Sequence, residues 1–384
     1  MKILHVSPSF YPTTAYGGTI RSSYGLCRGL ANLGCDIRVL TTDTDGIGRN
    51  LDVPNDRDVS FDGMRVRYCH KLLRNSVSLD LLRVIREYVE WADVVHLIAV
   101  YSFPTFPTLS HCRLLRKPLV WSPRGSLQRW DGTTRRGTKF LWERACQMLA
   151  LKEKLILHAT SEDEAMQTQL RFPGVRIVIV RNGVEVPEQV QKTEPADVLR
   201  IAYLGRLHPI KGIENLLDAC KLLESNVGPW RLRIAGSGDR DYADSLRLKA
   251  AELSLQHRVE FVGEVAGERK HDFFANADLL VAPSYVENFG MVIAEALALG
   301  IPVMAAKGTP WAGLEAHGCG LWVENNPQSL AEAIRRIATM PLKEMGQRGR
   351  CWMQREFSWD IVSRQMLNAF AQCAAAASAS VRQM

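Results

Sequence analysis

Residues Pro283 to Pro302, PSYVENFGMVIAEALALGIP, decide how the rest of this 384-residue chain is read. The run that leads into them, Asp278 to Pro283 (DLLVAP), is short and apolar like a buried parallel strand, and Gly290 to Leu299 carries a helical pattern that Gly300 and Pro302 end. Strand, loop and helix in that order place the loop at the carboxyl edge of a doubly wound sheet. There the amides of the new helix favour an anion, phosphate above all. Glu287 stands in the loop and Glu295 about a turn and a half into the helix, so both carboxylates can meet one elongated ligand. Carboxylates repel phosphate and suit neutral sugar or ribose hydroxyls, and a nucleotide sugar fits that division. A plain βα unit with solvated glutamates fits the spacing as well, so partner motifs must decide.

The chain is long enough for two domains, and 46% hydrophobic residues can fill two cores. A net charge of +7 and a pI near 8.9 favour an anionic partner or an anionic membrane face. No DNA- or RNA-binding motif accompanies that charge, so nucleic acid is not an expected partner. Nine cysteines occur singly, without CxxC pairs or histidines at zinc spacing, as in a reducing compartment. The apolar run of MKILHVSPSF is too short for a signal peptide, and no stretch reaches the roughly 18 apolar residues of a membrane span. A cytoplasmic location is expected.

Lys2 to Ser7 reads as a strand, and Ile20 to Leu33 as a helix preceded by Gly17 and Gly18, which would let backbone approach a phosphate. Asp43-Thr44-Asp45 has the look of a metal-binding DxD but lies in a polar connection between early strands, and it is read as an exposed loop. The strand Ala92 to Val100 carries His96 towards its end, where an imidazole can relay a proton; a packed, backbone-bonded histidine is the other reading. Strands Leu119 to Ser122 and Lys154 to Ser161 run into Arg124 and Glu162, and both endings point to one cleft if the sheet is parallel. Arg124 suits an acceptor carboxylate or phosphate, or a structural ion pair. From Gln128 to Lys154, Arg129, Arg135, Arg136, Lys139 and Arg144 interleave with Trp130, Phe140, Leu141 and Trp142. Such a stretch lies on anionic headgroups or packs an aromatic face inward.

The strand Val175 to Val180 ends at Arg181-Asn182-Gly183-Val184, and a polar linker follows. Leu199 to Leu204 opens a second sheet and runs into GRLHPIKG at 205–212. Arg206 offers a rigid fork and Lys211 a mobile point charge in one strand-to-helix loop, a combination suited to a diphosphate.

Glu287 and Glu295 in E-x7-E spacing, with the G-R-L-x3-K-G run at 205–212, resemble the retaining glycosyltransferases with the GT-B fold, of the family 4 type. The resemblance covers nearly the whole chain and is strongest over 199–360. It implies two Rossmann-like α/β domains facing across a cleft. Residues 1–185 would be the acceptor side, with a C-terminal helix in 357–384 crossing back onto it, and 186–356 the nucleotide-sugar domain. The implied reaction moves a sugar from a nucleotide-diphosphate donor to an acceptor hydroxyl with retention, without cofactor or metal. The acceptor would be a glycan or lipid-linked glycan of cell-surface polysaccharide synthesis, met at the inner membrane face. Arg206 and Lys211 would hold the diphosphate, Glu287 the donor sugar and Glu295 the ribose. Gly17, Gly18, Gly205, Gly236, Asn288, Phe289, Gly290 and Met291 would complete the donor site. The family's histidine-x-histidine pattern is here His96 and Ile98, which leaves its second, sugar-facing position without a histidine, and Glu185 follows NGV where an aspartate is usual. A sugar-nucleotide 2-epimerase and a non-catalytic nucleotide-binding subunit are the other readings; Arg206, Lys211, Glu287 and Glu295 occurring together argue against the second.

Overall fold

The computed structural model describes all residues but 14, 16, 47, 129–135, 191–196, 224–227 and 382–384. The chain forms two compact units, residues 1–183 with 359–384, and residues 184–358.

In the first unit, apolar runs rich in Val, Ile and Leu make the strands of a sheet covered on both faces. They are β1 (Lys2–Val6), β2 (Asp36–Thr42), β3 (Val59–Phe61), β4 (Met64–Cys69), β5 (Val94–Ile98), β6 (Leu119–Ser122), β7 (Leu155–Ala159) and β8 (Arg176–Ile179). Their order is β3-β4-β2-β1-β5-β6-β7-β8, with only β3 antiparallel to its neighbour. The connections include α1 (Gly18–Asn32), α2 (Leu79–Trp91), α3 (Thr105–Leu114), α4 (Arg136–Leu149) and α5 (Glu162–Arg171). Alternation sends Leu4, Leu97, Trp121 and Leu157 to one apolar layer, and Ile3, Val94, Val120 and Ile156 to the other. The second layer is closed by α1 and by the C-terminal helix Trp359–Val381, through Leu26, Leu30, Val362, Met366 and Phe370.

The second unit has six parallel strands: β9 (Leu199–Leu204), β10 (Trp230–Ala235), β11 (Val259–Gly263), β12 (Leu279–Ala282), β13 (Val303–Ala306) and β14 (Gly320–Val323). The helices are α6 (Ile213–Leu222), α7 (Arg240–Glu252), α8 (Glu268–Ala275), α9 (Met291–Ala298), α10 (Gly313–Ala316), α11 (Pro327–Ala338) and α12 (Leu342–Glu356). The strand order β11-β10-β9-β12-β13-β14 reverses direction between β9 and β12. Connections leaving these two strands go to opposite faces, which opens a crevice beyond their carboxyl ends. Leu216 and Leu217 of α6, Leu246 of α7 and Ile334 of α11 fill one face, and Phe273 of α8, Ile293 of α9 and Met353 of α12 the other.

Candidate functional site

The loops that follow β9 and β12 carry the cation pair and Glu287, and the backbone stitches them together. After β9 the chain makes a one-turn 3-10 helix at Pro209–Lys211, started by His208, whose Nδ1 accepts the Ile210 N–H at 3.2 Å. Gly212 then takes φ +63°, and a Cβ there would sit 2.2 Å from the Pro283 carbonyl oxygen. The Tyr285 N–H donates to the Ile210 carbonyl and the Glu287 N–H to the Gly308 carbonyl, each at 2.9 Å. Loops from three neighbouring strands are thereby locked. The result is an ion pair between Lys211 Nζ and Glu287 Oε1, both side chains 17% exposed, with Ser284 Oγ donating to the same oxygen at 3.3 Å.

Arg206 is exposed in the same loop, and its carbonyl accepts the Tyr203 hydroxyl at 3.1 Å. Burial, reinforced by Glu287, holds the Tyr203 phenol well above its ordinary pKa, so it stays a donor. His208 is pushed below the ordinary histidine range by burial and then by Arg206 and Lys211. With Nδ1 accepting, a neutral His208 carries its proton on Nε2. Gly205 and Gly236 allow the ends of β9 and β10 to touch, since a Cβ on Gly236 would lie 1.8 Å from the Gly205 oxygen.

Gly290 begins α9 with φ +79°, and Met291 is its first, half-buried residue. The first-turn amides have no intrahelical acceptors and make this end positive. Asn288 is half-buried in the loop. The ring of Phe289 turns away from the loop surface. Its side chain is 4% exposed and packs 5.2 Å from the Trp311 ring, while its carbonyl accepts the Trp311 indole N–H. An aromatic ring gains more from that apolar layer than from the loop surface, so Phe289 anchors the turn. Inside α9, Glu295 pairs with Lys270 of α8, Nζ to Oε2 at 2.5 Å. Nothing in the sequence singles out Lys270, one cation in a polar helix; only the packing of α8 and α9 on the same face brings it to Glu295.

In the first unit Gly17 caps α1 with φ +57°, Gly18 is its first residue, and the space a Cβ on Gly17 would fill is open. His96 requires a correction. It is 1% exposed in the middle of β5, beneath Phe370 of the C-terminal helix, because alternation turns it into the inner layer and not towards the strand's end. It belongs to a row across four adjacent strands that sequence reasoning did not detect. His5 Nδ1 lies 3.1 Å from His96 Nδ1, His96 Nε2 lies 2.8 Å from Ser122 Oγ, and Ser122 Oγ lies 2.6 Å from His158 Nδ1. His158 Nε2 must donate to the Val180 carbonyl at 2.8 Å, and that fixes every tautomer back along the row. Burial, then the positive Arg124, lowers His5 and His158 to about 3, and burial first lowers His96 as well. Ile98 is 1% exposed.

Arg124 also turns inward. Its guanidinium donates to Asn182 Oδ1, its Nε is buried without a hydrogen-bond partner, and burial lowers it to about 10. Glu162 points out at the start of α5, 3.7 Å from Arg181, so the two expected acceptor-side residues are not brought together. Asp43 accepts from His70 Nδ1 and the Lys71 N–H at 2.8 Å, and Asp45 from the Thr13 hydroxyl at 2.7 Å, which is structural use. Among the described residues no three His, Cys, Asp or Glu side chains form a metal-holding group, and no helix is long and apolar enough to cross a membrane. Of the basic stretch, Arg129, Trp130 and Arg135 lie outside the described residues. In α4 Trp142 donates inward to the Val100 carbonyl, while Phe140, Leu141 and Met148 are 56%, 68% and 72% exposed.

Basic and acidic side chains gathered at the switch point of a doubly wound sheet mark the crevice where α/β proteins of this class bind their ligands. Residues 186–352 match the family described as glycosyl transferases group 1, and residues 17–183 match the glycosyl transferase 4-like domain. Together these matches span most of the chain, which belongs to the GT-B glycosyltransferases of the family 4 type. The D-inositol 3-phosphate glycosyltransferase of Streptomyces griseus is 35% identical over 178 residues, 43% of this chain and 37% of that protein. The chain spans about half, or less, of the length of such curated relatives. Sucrose-phosphate synthase from Thermosynechococcus elongatus superposes with a TM-score of 0.74 at 23% identity, over 98% of this chain and 99% of that one. HepE from Anabaena, in complex with UDP and glucose, gives a TM-score of 0.74 at 20% identity, over 97% and 100%. At these identities the structural likeness concerns the fold.

Proposed function

We propose that this glycosyltransferase moves a sugar from a nucleotide-diphosphate donor to an acceptor hydroxyl with retention of anomeric configuration and without a metal. The observation that carries the reading is the locked pairing of Lys211 and Glu287 beyond the adjoining strands β9 and β12. Arg206, Lys211 and the first-turn amides of α9 offset the charge that grows on the leaving diphosphate. Glu287 holds donor-sugar hydroxyls and Glu295 the ribose hydroxyls. The departing phosphate takes the acceptor proton, so neither glutamate is a general base. Gly205 and Gly236 admit backbone close to the nucleotide, and Gly17 and Gly18 leave the backbone at the start of α1 open to a phosphate. UDP in the HepE complex supports a nucleotide donor.

For the acceptor we propose a glycan or lipid-linked glycan of cell-surface polysaccharide synthesis. The exposed Phe140, Leu141 and Met148 lie beside Arg136 and Arg144 on α4, which suits shallow contact with an anionic membrane. Cosedimentation with phosphatidylglycerol vesicles but not with phosphatidylcholine vesicles is expected, and equal binding to both would remove that part. The donor reading is tested by thermal melting with a panel of nucleotide sugars, followed by NMR of the product anomer. A ligand at 100 times its Kd adds about 2.7 kcal/mol of stability. An inverted anomer, or a rearranged donor without transfer, would sink it.

A further inference from the structure

Glu295 sits in α9 (MVIAEALA), where every other residue is apolar, and its side chain is 17% exposed. A carboxylate so placed is oriented by the cation it meets. Lys270 supplies that cation at 2.5 Å from Oε2, with its own side chain 13% exposed. The lysine is itself steered, because its ammonium lies 5.7 Å from the centre of the Phe274 ring. Phe274 is 2% exposed in the apolar layer that α8 and α9 share, so it cannot follow a wandering lysine. A cation held between a fixed ring and a carboxylate sets the direction of that carboxylate.

We propose that Lys270 is a positioning residue for donor recognition, holding the Glu295 carboxylate aimed so that it accepts hydrogen bonds from the nucleotide ribose. This rests on the reading of Glu295 as the ribose group, and it adds a residue that neither motif contains. A merely structural ion pair would be indifferent to the hydroxyls of the nucleotide. A positioning pair acts only through them.

The experiment titrates the full chain with UDP, GDP and ADP by calorimetry, then compares the tightest binder with its 2′,3′-dideoxy counterpart. Wild type, K270M, K270R and E295Q are measured, with melting temperature as the check on folding. Wild type is expected to prefer the ribose form by about tenfold or more, the value of charge-assisted hydrogen bonds. K270M should reduce that preference to within about threefold by losing affinity for the ribose form alone, and K270R should restore it. Should K270M fail to fold, K270Q, neutral and of similar length, is read in its place with the same expectation. A lysine-less variant that keeps the full preference, or loses affinity equally for both forms, overturns the proposal. E295Q separates the layers of the argument. If it loses the preference while K270M keeps it, the ribose reading stands and Lys270 has no part in it. If E295Q keeps the preference, or none of the three nucleotides binds, the reading underneath fails.

Discussion

Both units place polar side chains where the strand order of a doubly wound sheet reverses, yet the two clusters differ in depth. Between β1 and β5, His5 and His96 are register partners inside the strands, and their rings lie in a sealed layer bonded to one another. Between β9 and β12, Lys211 and Glu287 stand past the strand ends on loops, paired but still reachable by water. A few residues along the strand axis separate a group that serves the fold from one that can meet a ligand.

The largest expected effect tests the sealed cluster by acid. His5 and His158 bind a proton near pH 6.5 when unfolded and only near pH 3 when folded. The unfolded chain therefore holds more protons in that window, and stability falls as pH drops through 6.5 towards 3. At about 1.4 kcal/mol per pH unit, each histidine removes about 2 kcal/mol by pH 5. Urea unfolding at pH 7 and pH 5 should show the first unit losing about 4 kcal/mol from these two alone, with His96, also held well below its ordinary value by burial, adding to it, and His5→Asn with His158→Asn should weaken that dependence. A pH-independent midpoint would mean the histidines are not sealed.

The contrast sharpens if activity and stability are made to part. Arg206→Ala with Lys211→Ala removes charge-assisted hydrogen bonds of about 1.5–3 kcal/mol each and should lower sugar transfer tenfold or more with little change in melting. Glu287→Ala should likewise act on turnover. His96→Ala strands the His5 and Ser122 partners, at about 1–3 kcal/mol for each buried group, so its loss should appear in melting while folded protein keeps its rate within severalfold. A His96→Ala enzyme that melts normally but no longer transfers sugar would reverse the assignment. The smallest expected effect is none: excess EDTA should leave initial rates unchanged, and a strict need for manganese or magnesium would reopen the mechanism.

Much of the fold was legible because parallel strands buried on both faces read as apolar runs, as in LRIAYL and DLLVAP, and because glycines and prolines mark their ends. The antiparallel β3 and the short β14 escaped, each of three or four residues and without a pattern long enough to show. Helix α3 escaped for another reason: TFPTLSHCRL has no amphipathic stripe, and its helical state comes from tertiary contact. In the site, Lys211 and Glu287 stood out because each follows a strand end within a short motif, GRLHPIKG and E-x7-E. Lys270 was not, since its meaning depends on which helices share a face. His96 was misplaced because a motif gives position along the chain and not the direction of a side chain, and the inward turn of the Phe289 ring was hidden for the same reason.

The C-terminal helix closes the layer over β1, β5, β6 and β7, although it follows the first unit in sequence only after the whole of residues 184–358. On a ribosome adding about 5–20 residues per second, the first 183 residues wait on the order of ten seconds or more for their last wall. During that delay the layer that holds the histidine row is walled by α1 alone, while the second unit is made through to its last residue. Translation thus finishes the second unit first and the first unit last, and a ribosome that stops before Trp359 releases a chain whose later half can fold while its earlier half cannot be completed.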